Sequence, residues 1–195
     1  FLHGIIAIRN KDHSRAIAES KKANKYLKDD SLSLLLKAES LKIQNKNDDL
    51  YQVYEKMIKN PNTYLLGLRG LMQENLRSQD YHHAYIYAEK LFNYNPKIDK
   101  LYDTIINIIS KTKNWQKLIE ITDDAYKKKI IDKKIFTENK SIALFEIAKI
   151  KYLTSLQESL KLMEQSLNLK EFFQPFVSFY TDILIACNSY NKAKK

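Results

Sequence analysis

Four small or aliphatic residues, Ala16, Leu50, Ala84 and Leu118, stand 34 positions apart from one to the next, and seven residues after each comes another core-type residue: Ala23, Met57, Leu91 and Ala125. A step of seven returns a side chain to the same face of a helix, and an interval kept three times running marks one supersecondary unit repeated. A unit of this length is a pair of antiparallel helices that cannot bury its apolar face alone, so neighbouring pairs must stack. The 3 glycines and 3 prolines of the 195-residue chain are too few for the many turns of a sheet protein.

A period of 34 with small residues at fixed places is the sequence signature of tetratricopeptide repeats. The predicted fold is all-α: a right-handed tetratricopeptide-repeat (TPR) α-solenoid of antiparallel helix pairs. It forms one domain over residues 1–195, with about five to six repeats near 1–30, 31–62, 63–98, 99–133, 134–173 and a truncated 174–195. Gly4 and Ala38 take the small position of the first helix in repeats one and two, while Met72 and Asn75 are departures in repeat three. Polar turns are expected at Asn10–Asp12, Asn45–Asp49, Ser78–Asp80 and Lys113–Asn114. Large side chains such as Tyr102, Leu91 and Trp115 are expected to fill the space between pairs, and Pro61, Pro96 and Pro175 fall at junctions between units. By this register the sequence starts inside one helix and stops inside another, as a segment of a longer protein would.

After Ala125 the strict period fails. Ser159, the counterpart of Leu118, lies 41 residues beyond it, and the extra residues are expected near Lys127 to Lys134. The period then resumes toward Ala193, giving a sixth repeat with Phe176, Phe179, Ile183 and Tyr190.

In a solenoid of this kind the first helix of each pair lines a concave groove. The residues expected there are Arg9 in repeat one, Glu39 and Lys42 in repeat two, Arg69, Gln73 and Arg77 in repeat three, and Asp103, Asn107 and Lys111 in repeat four. Only four of the 33 basic residues are arginines, and three of those, Arg9, Arg69 and Arg77, take groove positions. Arginine's planar fork suits carboxylates and phosphates. The alternative is that these arginines lie along the groove surface or pair with Glu39, Glu74 and Asp103. Gly67 and Gly70, one turn apart on the helix of Arg69, each cost roughly 1 kcal/mol relative to alanine, which close packing against repeat two or room for a ligand's backbone would explain.

The net charge of +10 raises nucleic acid or an anionic membrane surface as partners, and Lys127, Lys128, Lys129, Lys133 and Lys134 form the densest cluster. Against nucleic acid stand 23 interspersed acids and the lack of a binding motif. A solvated loop explains the cluster as well. No catalytic residue, cofactor or metal is expected. His82 and His83 are adjacent and point apart on a helix, His3 and His13 lack a partner at ligand spacing, and Asp29–Asp30 and Asp48–Asp49 sit where helix capping explains them. Cys187 alone excludes an internal disulfide and reads as a core thiol, and no run approaches the roughly 18 apolar residues of a membrane span.

The run from Leu34 to about Leu118 resembles the HemY family of bacterial tetratricopeptide proteins, as distinct from the unrelated oxidase of the same name. Leu34-Leu35-Leu36-Lys37-Ala38, Tyr54-Glu55-Lys56-Met57 and above all Asn60-Pro61-Asn62-Thr63-Tyr64-Leu65-Leu66-Gly67-Leu68-Arg69-Gly70-Leu71 carry the resemblance. The opening Gly4-Ile5-Ile6-Ala7 and the Asn114-Trp115 turn are also similar, and the likeness fades after Lys134. It implies a bacterial inner-membrane protein with hydrophobic N-terminal segments, its repeat domain on the cytoplasmic side, associated with haem biosynthesis and offering no catalytic residues. The expectation is a non-catalytic scaffold whose groove binds proteins or peptides, including haem-biosynthesis enzymes. The alternatives are direct binding of an anionic small molecule such as a porphyrin, and a basic lipid- or nucleic-acid-binding surface.

Overall fold

In the computed structural model, which describes residues 2–27, 30–170 and 174–187, a left-handed backbone conformation recurs at Lys11, Asn45, Gln79 and Lys113, with φ of 57°, 53°, 61° and 53°. These positions are again 34 apart, so the repeat seen in side chains is also a repeat of backbone turns. The amide of the next residue donates to a carbonyl five residues back: Asp12 to Ala7 at 2.8 Å, Lys46 to Leu41 at 3.1 Å, Asp80 to Asn75 at 2.8 Å and Asn114 to Ile109 at 3.4 Å. That is the Schellman closure of a helix end. The same residue opens the following helix, where Asp12, Asp80 and Asn114 accept from the amides of Arg15, His83 and Lys117 at 3.0, 3.1 and 3.3 Å. One side chain thus caps a helix whose predecessor its own amide has just closed, and the two helices joined this way pack on each other.

The chain divides into two compact units, Phe1–Asn95 and Pro96–Lys195. The first holds α1 (Leu2–Arg9), α2 (His13–Tyr26), α3 (Ser31–Ile43), α4 (Asn47–Met57), α5 (Tyr64–Arg77) and α6 (Tyr81–Tyr94). Each helix packs on the next, and α1 also reaches α3. Asp30 caps α3 by accepting from Leu32 at 3.1 Å, whereas Asp29 lies outside the described residues. Lys46 gives α4 no side-chain cap, and Asp48 and Asp49 place negative charge in its first turn instead. Ala16, Ala23, Leu50, Met57, Ala84 and Leu91 are all buried, so the period was core periodicity. The centre of this core is Leu34, Ala38, Leu41, Leu50, Val53, Tyr54, Met57 and Leu71; burying one such side chain contributes about 1.5–3 kcal/mol. Met72 and Asn75, the departures, are buried too, Asn75 donating to the Leu71 carbonyl at 2.7 Å.

The glycines of α5 are explained by contact with α4. A methyl at Gly67 would come within 2.9 Å of the Ile58 amide and of Met57 Cβ, and one at Gly70 within 2.4 Å of the Tyr54 ring. Both let the two helices meet backbone to side chain.

The second unit holds α7 (Leu101–Thr112), α8 (Trp115–Lys127), α9 (Lys133–Tyr152), α10 (Leu156–Leu169) and α11 (Gln174–Ala186). Leu118 and Ala125 are buried, and Ser159, at 0% exposure, takes its expected place while donating to the Ala148 carbonyl at 2.8 Å. Tyr102 of α7 meets Thr122 of α8 at 3.2 Å and accepts from Asn139 of α9 at 2.9 Å, tying three helices together. Ala148, Met163, Phe176 and Ile183 form the core of the last three helices, with Phe179 and a half-buried Cys187 against it. Tyr190 and Ala193 lie outside the described residues.

The position of the extra residues differs from the expectation. The link between α8 and α9, residues 128–132, is no longer than residues 58–63 or 95–100. The addition is in α9 itself, 20 residues long against 13, 14 and 12 in α3, α5 and α7. About seven residues are two helical turns, so an insertion of that length lengthens a helix without rotating its buried face. Among the described residues there is no strand, and no helix is long and apolar enough to cross a membrane. Both units are built from helix pairs of the tetratricopeptide kind.

Candidate functional site

Two first helices, α3 and α5, face a shared cleft floored by α4. On α3 the stripe Leu35, Ala38, Glu39 and Lys42 follows helical spacing, and on α5 so does Leu66, Arg69, Gly70 and Gln73. Tyr54 and Met57 of α4 close the bottom, and the cavity measures about 290 Å³. Tyr54 can lie flat there because Gly70 carries no side chain.

The charges of the cleft are unequal in availability. Lys42 Nζ donates to Glu39 Oε1 at 2.6 Å and lies 5.9 Å from the Tyr54 ring centre. Burial works against the Lys42 ammonium, but the bond to Glu39 and the nearby Tyr54 hydroxyl outweigh it and raise its pKa above the ordinary lysine value. Burial likewise pushes the Tyr54 hydroxyl up, with Lys42 drawing it back. Arg69 is exposed and has no hydrogen bond or ion pair among the described residues. Its guanidinium is therefore the open cationic fork of the cleft, with Gln73 exposed one turn further on.

Of the nine residues expected in a groove, the structure brings four together here: Glu39, Lys42, Arg69 and Gln73. Arg9 ends α1 and Arg77 ends α5, both exposed and away from the cleft lining. Arg77 is paired with Glu74, so for this arginine the ion-pair reading is the observed one. Asp103, Asn107 and Lys111 lie exposed on α7 in the second unit. The aliphatic walls Leu35 and Leu66 are not among the residues expected in the groove, although Leu35 stands one period before Arg69.

The histidines form no site. The His83 amide first, and then His83 Nδ1 at 2.7 Å from Asp80 Oδ2, hold the Asp80 carboxyl below the ordinary range. No group of three or more His, Cys, Asp or Glu able to hold a metal ion occurs among the described residues.

No family model and no curated relative matches this chain. Among solved structures it is similar to YrrB, a TPR protein with an unusual peptide-binding site, at 15% identity over 89% of this chain and 86% of that one, with a TM-score of 0.46. It is also similar to BtubC (BKLC) from P. vanneervenii, at 11% identity over 96% of this chain and 87% of that one, with a TM-score of 0.40. At such identities neither likeness bears on a ligand.

Proposed function

We propose that this chain is a binding scaffold in which the α3–α5 cleft holds a segment of a partner protein and performs no chemistry on it. The observation that carries the reading is the unpaired Arg69 fork set beside a Lys42–Glu39 pair over an aromatic and aliphatic floor. Such a combination grips a carboxylate with one group, orients it with a second and takes a neighbouring apolar side chain between Leu35 and Leu66. The volume of about 290 Å³ suits one or two side chains of a peptide. It falls at the bottom of the roughly 300–1,000 Å³ range of small-molecule sites, which favours a peptide over a porphyrin.

The sequence resemblance supports the finer part of the proposal. By it, the partners are haem-biosynthesis enzymes, and the protein is a HemY-like one that works on the cytoplasmic side of a bacterial inner membrane. The test is capture of co-purifying proteins by the full-length protein with Arg69→Ala beside Arg77→Ala. R69A should weaken capture about tenfold or more while helical content stays unchanged, and R77A, lying outside the cleft, should not. Undiminished capture by R69A removes the cleft from the reading. Adding a porphyrin should leave its absorption unshifted; a shift abolished by R69A would replace the peptide with the small molecule.

A further inference from the structure

The second unit contains another concavity, of about 420 Å³, between the stretch leading into α7 and the link that joins α8 to α9. Its lining has two chemical characters. Ile98, Ile130, Ile131 and Ile135 supply aliphatic surface, with Ile131 8% exposed and Ile135 39% exposed at the mouth. Lys97, Lys100 and Lys129 stand around it, against a single acid, Asp103.

Of the nearby acids, Asp99 is exposed between Ile98 and Lys100, while two others are engaged. Asp132 accepts from the Ile135 amide at 2.8 Å to cap α9, and Asp124 is paired with Lys128 at 2.7 Å. Lys127, Lys133 and Lys134 add exposed positive charge on the same link. Lys100 and Lys129 have no ion pair among the described residues. The six lysines of the rim and the link outnumber Asp99, Asp103 and Asp132 around the opening, so the potential over it is positive.

We propose that this lysine-rimmed cavity is a second docking site, for an acidic peptide segment of another protein that inserts one large apolar side chain between the isoleucines. The shape favours a peptide over a membrane surface. A bilayer is flat and meets apolar groups on a convex crest, whereas these isoleucines line a hollow. Acidic residues on either side of the inserted anchor would face Lys100 and Lys129, giving attraction from the rim and burial from the floor. The proposal goes beyond the α3–α5 cleft and does not depend on it.

Short synthetic peptides with a central Leu, Phe or Ala, flanked by Asp and Glu or by Ser, would be titrated against the full chain by fluorescence anisotropy. The parent is the full chain carrying Arg69→Ala, so that the α3–α5 cleft does not contribute, and the variants placed on it are the exposed double substitution Lys100→Glu/Lys129→Glu, the mouth substitution Ile135→Ala, and Arg77→Ala as the control. On that parent, acid-flanked Leu and Phe peptides should bind, K100E/K129E should weaken them roughly tenfold or more, I135A should weaken them severalfold, and R77A, outside both linings, should leave them unchanged. Circular dichroism confirms that each variant keeps its helices.

Several results overturn the proposal. These are failure of the acidic anchored peptides to bind the Arg69→Ala parent, equal binding of Ala-centred peptides, and binding to that parent undiminished by K100E/K129E. Retention on vesicles of phosphatidylglycerol and phosphatidylcholine in equal parts, with no peptide bound, would assign the patch to a membrane instead.

Discussion

Gly70→Ala puts the helix–helix contact to its most direct test, because two effects of known sign oppose each other there. In an exposed helix interior the substitution stabilises by about 1 kcal/mol, since alanine loses less backbone entropy. Here the added methyl would stand 2.4–2.5 Å from three carbons of the Tyr54 ring. Tyr54 is 3% exposed within the core between α3, α4 and α5, so the ring cannot turn outward without giving up its burial. Overpacking of this kind costs about 1–3 kcal/mol, and three ring carbons inside 3.0 Å at once place it in the upper part of that range, above the propensity gain. G70A should therefore destabilise by about 1–2 kcal/mol, read as a lower urea midpoint in far-ultraviolet circular dichroism. In a Tyr54→Ala background the obstacle is gone, and the same change should be neutral or stabilising by up to about 1 kcal/mol. A G70A protein as stable as the parent, or a penalty that persists without the ring, would refute the account of why glycine stands there. Because the same ring floors the cleft, G70A should also weaken the peptide capture that depends on Arg69.

The turns offer an opposite case: Gln79 has φ of 61°, which is costly for a residue with a Cβ, so Gln79→Gly should raise the urea midpoint by an amount equal to about 0.5–1 kcal/mol. Tyr102→Phe removes the hydroxyl shared by Thr122 and Asn139 and should cost about 1–2 kcal/mol, measured by the same unfolding curve. Tyr87 has its hydroxyl pushed up to about 12, by burial first and then by the Tyr51 hydroxyl 3.4 Å away. The folded state thus holds this proton more tightly than the unfolded one. Its contribution is complete below about pH 10 and is lost as pH rises toward 12, a loss that should shrink in Tyr87→Phe when unfolding is followed across that window.

The repeat, its register and its turns are legible in the order of residues alone. Ala16, Leu50, Ala84 and Leu118 could be read as core because within each unit a helix packs on its sequence neighbours, so that a local pattern carries much of the information about the fold. The polar turns were legible for the same reason, since closure and capping use residues only three to five apart. Features that depend on side chains from different helices meeting become visible only in the folded chain. Arg69 and Arg77 looked alike along the chain, yet one is open over a cleft and the other is held by Glu74 within its own helix. The glycines of α5 acquired a reason only when Tyr54 and Ile58 were seen against them. The added residues after Ala125 were counted correctly but misplaced, because a spacing fixes how much chain lies between two buried positions and not whether that chain is link or helix. The cleft's aliphatic walls and the lysine-rimmed cavity belong to the same class. Each is made of ordinary leucines, isoleucines and lysines whose meaning is set by convergence across helices, which no one-dimensional pattern records.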